Sequence, residues 1–406
     1  MPEMQDLDKR ALAAKDKKAQ YGSDIDLDRF QSEPVLHDYI QDVRDLPEAD
    51  RERMILAGID TERSEKSGAY IQKDKSVLHA HSWQEGLEVT PIREALAKDA
   101  RIRDYYWKLL DVDTDKYTAR ARIDLHDGYV IRALPGSQVI YPVQACLYME
   151  KNGSNQNIHN IIIAEEGSEL HIISGCTTSI HVQHGLHIGI TEFYVKKKAR
   201  LSFTMINSWA EDMVVRPRSA GRIEEDGLFL NNYICMRPVK SLQTYPTAYL
   251  VGKRAVARFY SMVVASPGSE IDAGGRIFLR EQETRAEIIS RAITNGGRIV
   301  ARGDLVGEVA GVKAHLECRG LILNGGSMHA IPELEGKVDG VEMSHEAAVG
   351  KIAQEEILYL MSRGLSEDEA TSTIVRGFLN VDIPGLPSEL KKQIDRAVGL
   401  SEQDMM

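Results

Sequence analysis

Cysteine is scarce in this chain, which has four among its 406 residues: Cys146, Cys176, Cys235 and Cys318. Four scattered cysteines are too few for a disulfide framework, and no Cys-x-x-Cys pair occurs. These absences exclude a self-contained zinc ribbon or ferredoxin-type centre. A metal or cluster site here needs ligands of mixed type, a second subunit, or both.

Other absences narrow the class of protein further. No apolar run approaches the ~18 residues of a membrane span, and the first residues, MPEMQDLDKRALAAKDKK, lack the apolar core of a signal peptide. No GxxxxGKS or GxxxxGKT loop occurs, so we expect the chain not to hydrolyse ATP itself. Acidic residues outnumber basic ones by 61 to 50, and this net charge of −11 argues against nucleic acid as a partner. We expect a soluble, cytoplasmic protein that acts with protein partners.

The strand signal is concentrated between residues 126 and 345. Short apolar runs, such as 160–163 and 298–301, alternate with polar turns, and almost no helical periodicity interrupts them. So much strand without helix predicts a barrel, a sandwich or a β-solenoid. Turn-then-strand units recur, as at 166–170 and 267–271, and this repetition favours the solenoid.

Helices are predicted on both sides of this region. We expect residues 1–125 to form a helical N-terminal region, 126–345 the solenoid core and 346–406 a helical C-terminal domain. Glu346 is predicted to open the first C-terminal helix, which stops at Gly364, and the next one begins with a capping box at Ser366. Such helices would cap the end coils of a solenoid.

The most informative residues follow the last predicted strands. A thiol, two imidazoles and a carboxylate lie close together in the sequence there: Cys318, His329, His345 and Glu346. Iron and zinc select ligands of these types. Simpler explanations exist, because a free cysteine is usually a small core residue and an acidic residue at a helix start complements the helix dipole. We assign Cys146 and Cys235 to the core on this ground.

A second group of histidines is His181, His184 and His187. On a helix their spacing of three would put neighbours on one face, whereas on a strand residues three apart point to opposite sides. A zinc-dependent hydrolase that uses these histidines is kept as an alternative function.

Two ordered sets of motifs extend across the strand-rich region and the predicted C-terminal helices. The first runs from Cys318 through HAIP at 329–332, HEA at 345–347 and KI at 351–352 to YLMSRGLSEDEA at 359–370 and IVRGF at 374–378. The second is SGCTT at 174–178, followed by LH at 186–187 and NSW at 207–209. Over roughly residues 140–380 the chain resembles the SufB/SufD family, the scaffold proteins of the SUF iron–sulfur cluster assembly system.

The resemblance implies a fold and a function. The fold would be a right-handed parallel β-helix flanked by N-terminal and C-terminal helical domains. The protein would be an assembly scaffold rather than an enzyme, on which a nascent iron–sulfur cluster is built at a dimer interface. It would act with a SufC-type ATPase. By analogy with some members of the family, it would also bind FADH2.

The resemblance also implies roles for single residues. Three would be cluster ligands: Cys318, His345 and Glu346. Cys176, in the Gly-Cys-Thr element, would accept sulfur from a cysteine desulfurase or another donor, while His329 and His187 are weaker metal candidates. The ATPase would bind residues of the C-terminal helices: Ile352, Leu358, Tyr359, Arg363, Ile374 and Phe378.

The chain departs from the family pattern at one position. SufB proteins carry a further cysteine three residues before the matched histidine, where this chain has Gly326. His345, Glu346 and Cys176 are nevertheless all present, which predicts a chain that serves both halves as a homodimer in a two-plus-two complex with the ATPase. A metal-free structural adaptor for the ATPase is the other alternative.

Overall fold

Two long β-sheets, wound from one run of strands, form the centre of the protein. The computed structural model describes residues 2–31, 33, 35–61 and 65–379, and in it these sheets make a parallel β-solenoid of about 8 turns. The prediction of a mainly β fold with a solenoid core and terminal helices is confirmed.

The helices lie at the two ends of the chain: α1 Pro2–Ala14, α2 Glu48–Leu56, α3 Ile92–Lys98, α4 Lys116–Ile123, α5 Gln354–Ser362 and α6 Glu367–Leu379. The strands of the N-terminal half are β1 Gly68–Lys73, β2 Ser76–Ser82, β3 Leu87–Pro91, β4 Tyr129–Ala133, β5 Val143–Met149, β6 Asn155–Ala164, β7 Glu169–Thr178, β8 His184–Val195, β9 Arg200–Ser208, β10 Asp212–Val215 and β11 Arg218–Ile223. Those of the other half are β12 Leu228–Cys235, β13 Ser241–Thr244, β14 Thr247–Leu250, β15 Val256–Ala265, β16 Glu270–Ala273, β17 Arg276–Leu279, β18 Arg285–Asn295, β19 Arg298–Gly307, β20 Lys313–Leu323, β21 Ser327–Gly336 and β22 Glu342–Gly350.

Each sheet follows the length of the solenoid. Sheet A has the order β2-β1-β5-β7-β9-β12-β15-β18-β20-β22, and sheet B the order β10-β13-β16-β19-β17-β14-β11-β8-β6-β4-β3, with β21 also pairing with β19. Neighbours are parallel except for the pairs β1–β2 and β3–β4 at the N-terminal end. At the other end, β22 and β21 are the last strands of their sheets among the described residues.

The coils turn where the sequence pattern predicts. Gly167 and Gly268 lie in such turns with φ angles of +68° and +81°, a backbone conformation that glycine adopts without steric cost. Alternate residues of each strand then point between the sheets, and parallel register stacks them on the equivalent residues of the next coil. Across the interior, Phe193 of sheet B contacts Phe203 and Phe229 of sheet A, with ring centroids 5.0 and 4.8 Å apart, and such aromatic pairs contribute about 0.5–1.5 kcal/mol each beyond burial.

The N-terminal region covers the outer face of sheet B. Apolar residues of β6 and β8 that point outwards, among them Ile161 and Ile188, are buried in one cluster with Trp107 and Tyr117. The buried carboxylate of Glu192 in β8 fixes the N-terminal region to sheet B. It accepts hydrogen bonds from the backbone N–H groups of Trp107, Lys108 and Leu109 at 2.6–2.7 Å.

Two parts of the secondary-structure prediction are wrong. Residues 68–91, placed in the helical N-terminal region, form β1, β2 and β3, and β1 pairs with β5 of the solenoid. Glu346 does not open a helix, because it lies inside β22, whose pairing with β20 continues to Gly350. The division into three domains stays a prediction.

Three residues separate the end of β22 from the first C-terminal helix, α5. On α6, Val375, Phe378 and Leu379 pack against outward-pointing residues of sheet A such as Val264 and Ile293. Residues 380–406, which complete the predicted C-terminal domain, lie outside the described residues. Among the described residues, no helix has the length and apolarity needed to cross a membrane.

Candidate functional site

Cys318 and His345 point to the same side of sheet A at the end of the solenoid. Cys318, in β20, is fully buried between the sheets. Its strand pairs with β22 so that Leu316 is level with His345, and Cys318 with Ala347. Register partners in a parallel sheet share a face, so His345 faces inwards like Leu316. His345 is nevertheless exposed, because no described strand follows β22 in the sheet.

Glu346 lies on the opposite face of β22. Its register partner is Glu317, which points outwards, and Arg319 bridges both carboxylates, with nitrogen to oxygen distances of 3.0 Å to each. The structure therefore brings Cys318 and His345 together on one face and separates Glu346 from them.

The Cys318 thiol is protonated in this environment. Burial and, to a smaller extent, the nearby Glu317 carboxylate raise its pKa to about 11, and the Arg291 guanidinium opposes them. A buried neutral thiol is a poor nucleophile. A metal ion that binds it must displace the proton.

Gly326 occupies a position with no space for a side chain. A Cβ atom built there would overlap the side chain of Thr294. The cysteine that SufB proteins carry at this point therefore does not fit the present packing, so Cys318 is left as the thiol nearest the end of the solenoid.

The histidines outside this end do not converge on a common point. His187 is buried, its Nδ1 lies 3.0 Å from Gln156 Oε1, and its ring lies 4.8 Å from that of Trp209. Burial lowers its pKa to about 3. His181 and His184 are exposed, and strand geometry points His184 away from His187.

His329 is also separate from Cys318 and His345. It lies in β21, where its register partner is Val300, and it is exposed on the outer face of sheet B.

Cys176 has an environment opposite to the one expected for a sulfur-accepting thiol. It faces inwards from β7, is fully buried, and burial raises its pKa to about 12. Lys196 and Lys197, which follow β8, interact with carboxylates instead of the Cys176 thiol. Lys197 pairs with Glu225 at 2.7 Å, and Lys196 lies 3.6 Å from Glu224. Cys146 and Cys235 are buried, as predicted.

One cluster of potential ligands was missed by the sequence reasoning. His37, Asp74 and Glu150 place one ligand atom each within 4.8 Å of one another, and they form the only such group of three among the described residues. They come from three distant segments and include no thiol. Asp74 lies in a tight turn, where aspartate is common, so the sequence gives no local signal for this cluster.

Comparison with known proteins identifies the family. The model of the SUF system FeS cluster assembly, SufBD core domain, matches residues 147–378. The chain belongs to the SufBD family. An Archaeoglobus fulgidus protein of the iron–sulfur cluster assembly SufBD family is 52% identical over 358 residues, which cover 88% of this chain and 96% of the relative. One from Methanothermobacter thermautotrophicus is 45% identical over 409 residues, covering 99% and 100% of the two chains.

The match to the SufBD family model includes α5 and most of α6. On α5, Leu358 and Tyr359 are 53% and 59% exposed, and the Arg363 guanidinium lies 5.4 Å from the Tyr359 ring centre. Ile352 and Ile374 are half-buried. Phe378 is different, because it packs on the solenoid. Of the predicted partner-binding residues, those on α5 are therefore exposed, whereas Phe378 already packs against the solenoid.

Two cavities lie against the outer faces of the sheets. One, of 580 Å³, lies on the outer face of sheet A against Arg285, Glu287 and Lys313, and the other, of 780 Å³, lies between residues 23–30 and sheet B. Both linings mix charged side chains with apolar ones, such as Met343 in the first cavity and Phe30 in the second. Bound FADH2 therefore stays a prediction for this SufBD family protein.

Proposed function

We propose that this SufBD family protein is the scaffold on which a nascent iron–sulfur cluster is built at the interface of a homodimer, in complex with a SufC-type ATPase. One observation carries the proposal: Cys318 and His345 share the inward face of the last two strands of sheet A, at an end of the solenoid where both sheets have an unpaired edge among the described residues.

The end of the solenoid has the properties of an interface. Unpaired strand edges are templates for pairing with another chain, and apolar residues are exposed on or next to these strands: Leu334, Val338 and Val349. One chain offers a single thiol and a single imidazole here, which is too few for a cluster. A two-fold axis through this end duplicates both and supplies four ligands.

Glu346 is retained as a cluster ligand under one condition. Its carboxylate must leave Arg319 and turn towards the interface. Both partners of this ion pair are largely exposed, and exposed ion pairs contribute only about 0–1 kcal/mol, so the exchange costs little.

Burial of Cys318 suits a thiol that waits for metal. The high pKa keeps it protonated and slow to oxidise, and binding to iron removes the proton because the thiolate is the metal ligand. Mixed nitrogen, oxygen and sulfur ligation also holds a cluster less tightly than four thiolates, which favours transfer to an acceptor.

Cys176 remains our candidate for the sulfur-accepting residue. It and Cys318 face the interior of the same solenoid from the same sheet. Because Cys176 is buried, the proposal requires that the coil around β7 opens when a desulfurase or another donor binds.

The zinc hydrolase has no support from the described residues, because His187 is buried among core side chains while His181 and His184 are exposed. The reconstitution experiment below distinguishes a scaffold function from that of a metal-free adaptor.

The test is anaerobic reconstitution with iron and sulfide of the chain copurified with its ATPase. We expect a labile cluster in the parent, seen by visible absorption and by iron and sulfide counts, and its loss in Cys318→Ser. Cys235→Ser is the matched control, because Cys235 is a buried, inward-facing thiol of the same sheet, and it should keep the cluster. A cluster that survives in Cys318→Ser would overturn the ligand assignment, and no cluster in any variant would favour the adaptor.

A further inference from the structure

We propose that His37, Asp74 and Glu150 bind one divalent transition-metal ion, of the zinc or ferrous-iron class, which fastens the N-terminal segment to the first coil of the solenoid.

The three residues come from segments that meet at one edge of sheet A. His37 lies on an extended segment beside β2, where its N–H donates to Ser76 Oγ and the N–H of Ile40 donates to Leu78 O, at 3.0 and 2.7 Å. Asp74 is in the two-residue turn between β1 and β2, and Glu150 directly follows β5. An ion held by all three would tie the segment to the sheet.

The ligand atoms face one another at short range. His37 Nε2 lies 3.1 Å from Glu150 Oε2, a contact that is an ion pair only when the imidazole is protonated, and this nitrogen makes no hydrogen bond of normal geometry within the described part of the chain. Asp74 is only 1% exposed; its Oδ1 accepts the N–H of Glu150 at 2.9 Å, while Oδ2 has no hydrogen-bond partner there. Buried polar atoms are satisfied in the great majority of cases. His37 Nε2 and Asp74 Oδ2 are two adjacent exceptions. Each can offer a lone pair to a cation.

The charges around this site call for a cation. Asp50, Asp74 and Glu150 bring three carboxylates, and the one buried ammonium group, Lys73, pairs with Asp50 at 2.9 Å and Glu150 at 2.6 Å. Asp74 is left without that partner. Burial raises its pKa, while the backbone N–H groups of Glu150 and Lys151 lower it, so its ionised form gains from a nearby positive charge. One divalent ion balances the excess of two carboxylates.

The donor set selects the class of ion. One imidazole nitrogen and two carboxylate oxygens suit zinc, ferrous iron or manganese, whereas copper(I) prefers sulfur and calcium prefers six to eight oxygens. Bonds of about 2.0–2.2 Å in a tetrahedral arrangement put the ligand atoms about 3.3–3.6 Å apart. The three ligand atoms already lie within 4.8 Å of one another, so side-chain shifts of up to about 1.5 Å complete the site.

The site is independent of the proposed cluster site. Strands β1, β2 and β5 are at one end of sheet A, and β20 and β22 are at the other. Loss of one site should leave the other unchanged, and this distinguishes failure of the metal proposal from failure of the scaffold proposal.

The experiment is a competition titration of the purified, chelator-treated chain with Zn²⁺ against a chromophoric chelator, followed by Co²⁺ absorption. Asp74→Asn and His37→Gln are the test variants. Asparagine tolerates the positive φ of +50° at position 74 and keeps the Oδ1 acceptor, so Asp74→Asn should fold. The controls are His181→Gln, which removes an exposed histidine, and the double variant Cys318→Ser with His345→Ala, which removes the cluster ligands.

We expect one tight Zn²⁺ per chain in the double variant, which lacks the thiol and imidazole of the proposed cluster site, together with a Co²⁺ spectrum without a thiolate charge-transfer band. Affinity should fall at least about 100-fold in both test variants, since even loss of an outer-shell partner costs 10–100-fold, and should be unchanged in both controls. Zn²⁺ should also slow hydrogen exchange in residues 37–40 of the parent and not of Asp74→Asn. Parental affinity in the test variants, no tight Zn²⁺ in the parent, or loss of binding in the double variant would overturn the proposal.

Discussion

Burial changes the acid–base chemistry of His187 strongly. Its ring is enclosed between coils, against Trp209 and Gln156, and burial lowers its pKa from 6.5 to about 3. The unfolded chain therefore binds a proton as the pH falls through 6.5, whereas the folded chain keeps a neutral ring until the pH approaches 3. His187 leaves stability unchanged above pH 6.5 and lowers it progressively below that value.

The prediction is that His187→Gln weakens the pH dependence of stability. Between pH ~7.5 and ~5 the free energy of unfolding should fall by about 2 kcal/mol less in the variant than in the parent, because one buried histidine no longer has to stay unprotonated. Denaturant titrations at both pH values measure the difference, and other buried histidines cancel in the comparison. His181→Gln, at an exposed position, should behave like the parent. Parallel curves for His187→Gln and the parent would contradict the assigned cause.

The inward position of Cys176 could not be read from the sequence. Which face of a strand is the core face follows from polar and apolar alternation only when one face is exposed. In β7 nine of the ten residues are buried, since the interior covers one face and α2 with neighbouring residues covers part of the other. The motif marked Cys176 as special without indicating its direction. The inward direction of Cys318 is easier to predict, because buried and half-buried residues alternate along its strand.

At the scale of elements, the solenoid could be predicted because its turns have local signals. Glycines such as Gly167 and Gly268 mark the turns, and the apolar runs between them have strand length. Strand β22 could not be predicted, because the residues Glu346-Ala-Ala-Val favour a helix, and only pairing with β20 makes them extended. The strands β1 to β3 were missed for a related reason, since β1 and β3 are fixed by pairing with β5 and β4, more than 35 residues away.

The free edge of β22 gives a prediction about dimerisation. Glu342 donates its N–H to Val312 O beside β20, and N–H groups alternate in direction along a strand. The N–H of Ala347 therefore points to the free edge and that of Ala348 points to β20. Because a two-fold axis would pair this edge with its copy, Ala347→Pro should weaken the dimer about tenfold or more, as proline removes a donor and crowds the edge.

Analytical ultracentrifugation measures that effect, and thermal unfolding serves as its control. Ala347→Pro should keep the parental melting temperature, since its pairing with β20 is intact, whereas Ala348→Pro should lower it. A dimer of parental strength in Ala347→Pro would show that the chains associate through another surface.

At the scale of the whole molecule, the proposed ATPase surface and the proposed cluster site are joined by a short covalent path. Strand β22 carries His345 and ends at Gly350, and α5 starts at Gln354. Three residues separate them. The next helix, α6, is anchored on sheet A through Leu379. A displacement of α5 by the ATPase would therefore move β22 directly, because only three residues connect them. A movement of β22 would change access to the buried Cys318 on the neighbouring strand β20.

The last prediction tests this path by lengthening it. Insertion of Gly-Gly-Ser-Gly between Lys351 and Ile352 adds a flexible segment after the end of β22 and keeps Ile352 next to α5. ATPase binding should stay at the parental level, while ATP-dependent cluster formation should fall about 5- to 150-fold, the usual range of coupling between sites. The same insertion after Gly136, in a turn where nothing lies near the glycine, should change neither. Leu358→Asp, on the exposed face of α5, should instead lose binding itself. Cluster formation at the parental rate in the lengthened chain would mean that the ATPase acts on the scaffold by a route other than β22.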